Sequence, residues 1–287
     1  MSRRSNLTVA GLILLMVLPA APRSGADELA DQGRDIFKKN QHAVVTVQVV
    51  QKVSYSVPGR PSSPKETKQD LTGTVVDPSG LVALALSACD PSEVYQRMMA
   101  DEYVKYKMET EVSDIKILLD DGTEMPGEIV LRDKDLDLAF VRPKIKPAAP
   151  MPAVDLGGGG RVQLLDQLIT LNRLNRASGR AYAASVERIS AVIQKPRTFY
   201  IPDSSMTSTT LGSPAFALGG NFVGMVVMRA VNSQGTGGNY RESMTTIILP
   251  AEDILKAAKQ APAEAKGEDE KKETPKEAPK EEPKEPK

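Results

Sequence analysis

The chain offers one imidazole, His42, and one thiol, Cys89. Those two counts decide much of its chemistry. A single Cys forbids an intrachain disulfide, an all-cysteine zinc site and an iron–sulfur cluster, and a single His forbids a multi-histidine metal centre. Hydrolysis through a side-chain nucleophile needs an imidazole to take the proton and a carboxylate to orient that imidazole. It also needs backbone N–H groups aimed at the developing oxyanion. His42 immediately precedes the first β-type run, so it reads as a strand-edge residue. A lone thiol at its ordinary pKa is mostly protonated, so Cys89 without an imidazole partner reads as structural. The pair Asp120-Asp121 falls in an expected hairpin turn and lacks the series of oxygen ligands that calcium requires. Gly157–Gly160 lacks the Lys and Ser/Thr of a phosphate loop. No metal and no cofactor is expected.

Composition narrows the partners. Lys+Arg and Asp+Glu are both 37, so no global field draws the chain to nucleic acid or to an anionic membrane. Aromatics are 4% and Trp is absent, which disfavours stacking platforms for bases.

The ends differ from the middle. Arg3-Arg4, the uncharged run 7–18, Pro19 and the small residues Ser24-Gly25-Ala26 have the layout of a secretory signal peptide over 1–26, with a mature amino terminus at Asp27. The apolar run is too short for a membrane span, so no stable anchor is expected after cleavage, and the protein is expected to be exported to a periplasmic or extracellular space. Residues 261–287 hold seven Lys, nine Asp+Glu and five Pro and no other apolar residue larger than Ala, so that tail is expected to be disordered.

Between them, short β-type runs follow one another: Ala43–Val50, 72–76, Gly80–Leu86, Ile115–Leu119, Gly127–Leu131 and Leu136–Arg142. A second set follows the proline-rich 144–153: Gln163–Leu171, Arg180–Ile193, Phe199–Ile201, Pro214–Leu218, Phe222–Met228 and Thr245–Leu249. Two groups around a linker predict an all-β protein of two antiparallel β-barrels. The expected units are 27–143 (a short helix over Asp27–Lys39 and the first barrel), 144–160 (linker) and 161–260 (the second barrel with a closing helix Ala251–Lys259). The stretch 92–108, opened by Ser92 and carrying Val94 and Met98 at helical spacing, is an expected inserted helix, packed against the barrel.

Four segments in order resemble the trypsin-like serine proteases of the high-temperature-requirement (Deg-type) family. GTVVDPSGLVALALSACD (73–90) is similar to the segment ending at the catalytic histidine, and DDGTEMPGEIVLRDKDLDLAFVRPK (120–144) to that of the catalytic aspartate. IPDSSMTSTTLGSPAFALGGNFVGMVV (201–227) is similar to the nucleophile segment, and TIILPAEDILKAA (246–258) to the closing strand and helix. The resemblance implies the chymotrypsin-type double barrel. It places the triad positions on Ser87, Asp137 and Leu211, of which only Asp137 keeps the family's chemistry. Thr209 and Leu211 occupy the oxyanion turn, and Thr209 and Ser213 stand where the family has glycine, whose freedom from a Cβ that turn exploits. A slipped alignment makes Ser213 an alternative nucleophile, still without an imidazole. The inserted helix is expected at the rim of the former active site, and the charged tail stands where the family carries a PDZ module.

The sequence therefore points to an exported protease homologue without proteolysis that binds peptide or protein through its scaffold. The alternatives are an active serine endopeptidase with altered machinery, including a Ser–Lys dyad, and a structural envelope protein. Oligomers are common in the resembled family, and nothing in these residues fixes one.

Overall fold

Valine-rich runs dominate the middle of the chain, and β-branched side chains fit a pleated surface buried on one or both faces. In the computed structural model, which describes residues 25–56, 64–98, 107–203, 210–230 and 244–264, these runs form two closed barrels. The first barrel comprises β1 (Val44–Ser56), β2 (Lys65–Asp77), β3 (Leu81–Ala85), β4 (Lys107–Leu118), β5 (Glu124–Asp133) and β6 (Leu138–Pro143). Its strands close in the order β1-β2-β3-β6-β5-β4. The second comprises β7 (Gln167–Arg173), β8 (Tyr182–Ile193), β9 (Phe199–Pro202), β10 (Pro214–Ala217), β11 (Phe222–Ala230) and β12 (Met244–Pro250), closing as β10-β11-β12-β9-β8-β7. All neighbours pair antiparallel. The expected double barrel is borne out.

Alternation explains the two cores. On β1, Val45, Val47 and Val49 point into the first barrel. On β3 and β6, Val82, Leu84, Ala139 and Val141 join them, while Leu81, Ala83, Ala85, Leu138 and Phe140 face a second cluster continuous with the other barrel. Strands buried on both faces read as unbroken apolar runs, which is what GLVALAL is.

Among the described residues, four α-helices accompany the barrels: α1 (Gly25–Asn40), α2 (Leu86–Cys89), α3 (Ser92–Met98) and α4 (Ala251–Ala258). The expected helix over 92–108 is corrected at its end. Lys107 and Met108 open β4, where Met108, Thr110 and Val112 are more buried than the intervening Lys107, Glu109 and Glu111, a period of two. Residues 99–106 lie outside the described residues, as do most of the signal-peptide region and residues 265–287 of the tail. The expected strand at Gln163 is also corrected. Asp166 accepts the Gln163 N–H at 2.7 Å, and the resulting turn delays β7 to Gln167.

The linker does not hang free. Met151 N–H donates to Pro78 O at 2.9 Å and Val154 N–H to Val75 O at 3.0 Å, which lays it along the first barrel. After α4 the chain returns to that barrel: Arg142 Nε donates to Pro262 O at 2.6 Å and Arg142 Nη1 to Ser79 Oγ at 2.8 Å.

The barrels meet along a polar seam. Thr74 Oγ1 donates to Gly212 O at 2.8 Å, Arg173 N–H to Thr72 Oγ1 at 3.3 Å, and Arg180 Nε to Asp70 Oδ2 at 2.7 Å. Gly212 has φ +89°, and a Cβ there would stand 2.1 Å from Thr72 O, a backbone atom of the other barrel. Both the φ and the approach require glycine. Gly212→Ala should therefore destabilise the protein by about 3 kcal/mol, measured as a lowered urea midpoint, whereas Gly220→Ala, with open space around its position, should cost less.

Candidate functional site

Asp137 ends the turn immediately before β6, with φ +57°, an uncommon backbone for a residue with a Cβ. The residue is 8% exposed, and its carboxylate collects donors from both barrels. Ser87 N–H donates to Oδ1 at 2.7 Å, Ser87 Oγ–H to Oδ2 at 2.9 Å, and Met228 N–H, from β11, to Oδ2 at 2.7 Å. Asp137 O accepts the Leu86 N–H at 2.9 Å, which fixes the start of α2. The other end of that single turn is held by Gln51, fully buried, whose Nε2 donates to Cys89 O at 2.7 Å and Ala88 O at 3.2 Å. The turn that presents Ser87 is thus clamped at both ends.

Asp137 and Ser87 are the two expected triad positions brought together. The carboxylate orients a hydroxyl where an imidazole would be needed. A carboxylate is too weak a base to take a hydroxyl proton near neutral pH, so the pair has no route to an activated nucleophile.

Leu211 is 5% exposed and belongs to the apolar cluster that runs between the barrels. Its neighbours are tied into strand-like pairing: Gly212 N–H donates to Val226 O at 2.8 Å and Val226 N–H to Ser213 O at 2.9 Å. Ser213 is 1% exposed, and its Oγ has no hydrogen-bond partner among the described residues. Thr209, the other oxyanion-turn position, lies outside the described residues. Cys89 is fully buried and donates to Leu86 O at 3.3 Å, and burial pushes its thiol up to about 12, far from a thiolate nucleophile.

His42 is held elsewhere. Its Nδ1 lies 2.9 Å from Asp120 Oδ2, so the proton sits on Nδ1, because a carboxylate can only accept. Asp120 also accepts from Tyr182 Oη and, at 2.8 Å, from Arg173 Nη1, whose guanidinium stacks 3.9 Å over the Tyr182 ring. Phe37 of α1 meets that ring edge-on. This cluster joins α1, the β4–β5 turn and the second barrel, and none of its members is a serine.

Helix α3 packs against β11, and Val94 lines a cavity of about 20 Å³ together with Ser87, Asp90, Lys134, Asp137, Met228 and Ala230. That is the room of about one water. Helix α3 therefore stands over the polar pair.

A family model described as the trypsin-like peptidase domain matches residues 71–225, more than half of the chain, and covers Ser87, Asp137, Leu211 and Ser213. The chain belongs to the trypsin-like peptidase domain family. Among curated proteins this peptidase-domain chain is similar to the Arabidopsis thaliana protein named protease Do-like 14, at 26% identity over 129 residues, 43% of this chain and 30% of that protein. Among solved structures it is similar to the HtrA-type protease AlgW with a tripeptide, with a TM-score of 0.51 at 16% identity, covering 79% of this chain and 62% of that one. The same protease with a decapeptide gives a TM-score of 0.50 at 15% identity, covering 79% and 65%. The chain thus spans under a third of the curated relative and just under two thirds of these solved chains. At such identities the structural likeness is one of fold.

Two features of the site had no signature in the sequence. Met228 enters through its backbone N–H, which any residue but proline supplies. The partners Asp120, Arg173 and Tyr182 of His42 are brought to it by the docking of the barrels.

Two predictions follow from these clusters. Asp137→Ala should cost about 3 kcal/mol, because it strands two buried N–H donors, whereas Ser87→Ala should cost about 1 kcal/mol. Urea unfolding of the two variants checks the order. Burial alone would raise the Asp120 carboxyl, but bonds from Tyr182 and His42 and the charge of Arg173 outweigh it and hold the carboxyl below its ordinary value. A depressed folded pKa contributes stability above the unfolded value of about 4 and loses it as pH falls through the folded one. Asp120 is 42% exposed, so the contribution is screened to under about 1 kcal/mol. Wild type should be more stable than Asp120→Asn at neutral pH, and the two urea midpoints should converge in acid.

Proposed function

We propose that this protein is an exported trypsin-like domain that has lost proteolysis and uses the protease scaffold to bind polypeptide. The observation that carries the reading is the state of Asp137. Its carboxylate is saturated by the Ser87 hydroxyl and two backbone N–H groups, with no imidazole beside it. The burial of Leu211 and Ser213 supports the same conclusion, since neither side chain can be reached by a substrate carbonyl. Peptide binding is supported by the two solved structures of a similar HtrA-type protease, one with a tripeptide and one with a decapeptide. An extended peptide is held by strand addition through backbone groups and side-chain pockets, which need no triad. Export is supported by the basic start, short apolar run and small residues of 1–26.

The test is fluorophosphonate labelling of the purified protein beside a variant carrying Ser87→His, Thr209→Gly, Leu211→Ser and Ser213→Gly. The parent should stay unlabelled and should not turn over casein. Stoichiometric labelling of the parent, lost in Ser213→Ala, would refute the proposal in favour of an active hydrolase. A labelled variant beside a silent parent would trace the lost activity to those four positions.

A further inference from the structure

Where β12 runs into α4, the second barrel carries a pocket of about 430 Å³. It shares no residue with the cavity beside Ser87 and Asp137. Its walls come from the end of the linker, the turn between β8 and β9, β11 and the first turn of α4. The floor is apolar and buried, built from Val162, Tyr200, Val223 and Pro250. The rim is polar and carries one charge of each sign, Arg161 and Glu252, both exposed, along with the side chains of Gln194 and Thr198. Arg161 and Glu252 are not joined to each other, and neither has an ion-pair partner among the described residues. Both nevertheless act on the Tyr200 phenol. Burial pushes that phenol up, the Val162 N–H pulls it down, Glu252 pushes it further up and Arg161 pulls it down. Two opposite charges thus stand around one buried aromatic side chain without neutralising each other.

We propose that this pocket binds a small zwitterion with an aliphatic body, of the size of a free dipeptide, its carboxylate at Arg161 and its ammonium at Glu252. The site is a second one, apart from the scaffold surface of the peptide-binding reading, and does not depend on it. The volume is the room of roughly a dozen waters, and sites for small molecules begin at about 300 Å³. A wholly apolar ligand would strip water from the two rim charges and leave both unpaired, which is costly. A simple anion such as phosphate would meet Arg161 and be repelled by Glu252, and a simple cation would meet the reverse. A molecule with a charge of each sign at its two ends satisfies both. Guanidinium groups suit carboxylates because they donate in a planar fork. Between the charges, the Thr198 hydroxyl and the Gln194 amide can each donate to or accept from a peptide group. The ligand's aliphatic side chains would rest on Val162, Val223 and the Tyr200 ring, which are already withdrawn from bulk water.

The test is isothermal titration calorimetry of the full chain with the dipeptide Val-Leu, free, with its amine acetylated, and with its carboxyl amidated. The free dipeptide should bind, and each cap should weaken it about tenfold or more. Arg161→Gln should weaken the free dipeptide to the same degree and no longer distinguish it from the amidated form. Glu252→Gln should do the same with respect to the acetylated form. Both positions are exposed, so urea midpoints close to wild type are expected and separate a lost contact from misfolding. No binding of free Val-Leu at millimolar concentration overturns the proposal. Equal binding of free and capped forms overturns the zwitterion selectivity. Binding of the free dipeptide that both variants retain in full places the ligand elsewhere and overturns the assignment of the pocket. A chain ending at residue 264 that binds it at least tenfold more tightly assigns the pocket to the protein's own carboxyl-terminal stretch and overturns the free ligand. None of these outcomes bears on the loss of proteolysis, which rests on Asp137.

Discussion

One carboxylate holds the junction of the two barrels. A buried charge must be met by hydrogen bonds or leave the protein unstable, and Asp137 is met from both sides, by Ser87 of the first barrel and by the Met228 N–H of the second. The positive φ of Asp137, the direction of α2 and the position of β11 against the first barrel all serve those bonds. In a serine protease the same carboxylate would orient an imidazole. Under the proposed reading its duty here is structural, and that duty would account for a chain that keeps the aspartate with Ser87 and Leu211 at the positions the resemblance gives to the histidine and the nucleophile.

The rest of the seam is polar and short-ranged. Threonines of β2 bond to the backbone of the second barrel at Gly212 and Arg173, and Asp70 pairs with Arg180. Bonds of this kind fix register where apolar contact alone would allow sliding. Leu211 fits that architecture. At the position where the resemblance puts the nucleophile, an apolar side chain enters the shared core, and the next residues pair with β11, the Gly212 N–H donating to Val226 O and the Val226 N–H to Ser213 O.

Much of this fold was legible because its signals are local. Val45, Val47 and Val49 announce a strand by their alternation, and the proline-rich 144–153 announces a break between two sets of strands. The same local logic misread 92–108. Val94 and Met98 satisfy a helical period, but Met108, Thr110 and Val112 satisfy a period of two, and only the pairing of β4 with β1 decides where one gives way to the other. The candidate site was half legible. Asp137 and Ser87 come from motif-bearing segments and do meet. Met228 contributes a backbone group without a sequence signature, and the environment of His42 is assembled by residues 78 and 140 positions away, Asp120 and Tyr182. A histidine that reads as a bland strand-edge residue is in fact part of a clasp between the helix α1 region and both barrels.

The grip of Arg142 on Pro262 has a topological consequence. The polypeptide enters its second barrel through a linker laid on the first and, after α4, comes back to the first before departing. Any force applied through the carboxyl-terminal stretch would thus be transmitted to the amino-terminal half of the fold. After a single cut in the linker the halves would still meet non-covalently, through the polar seam and the Arg142–Pro262 contact.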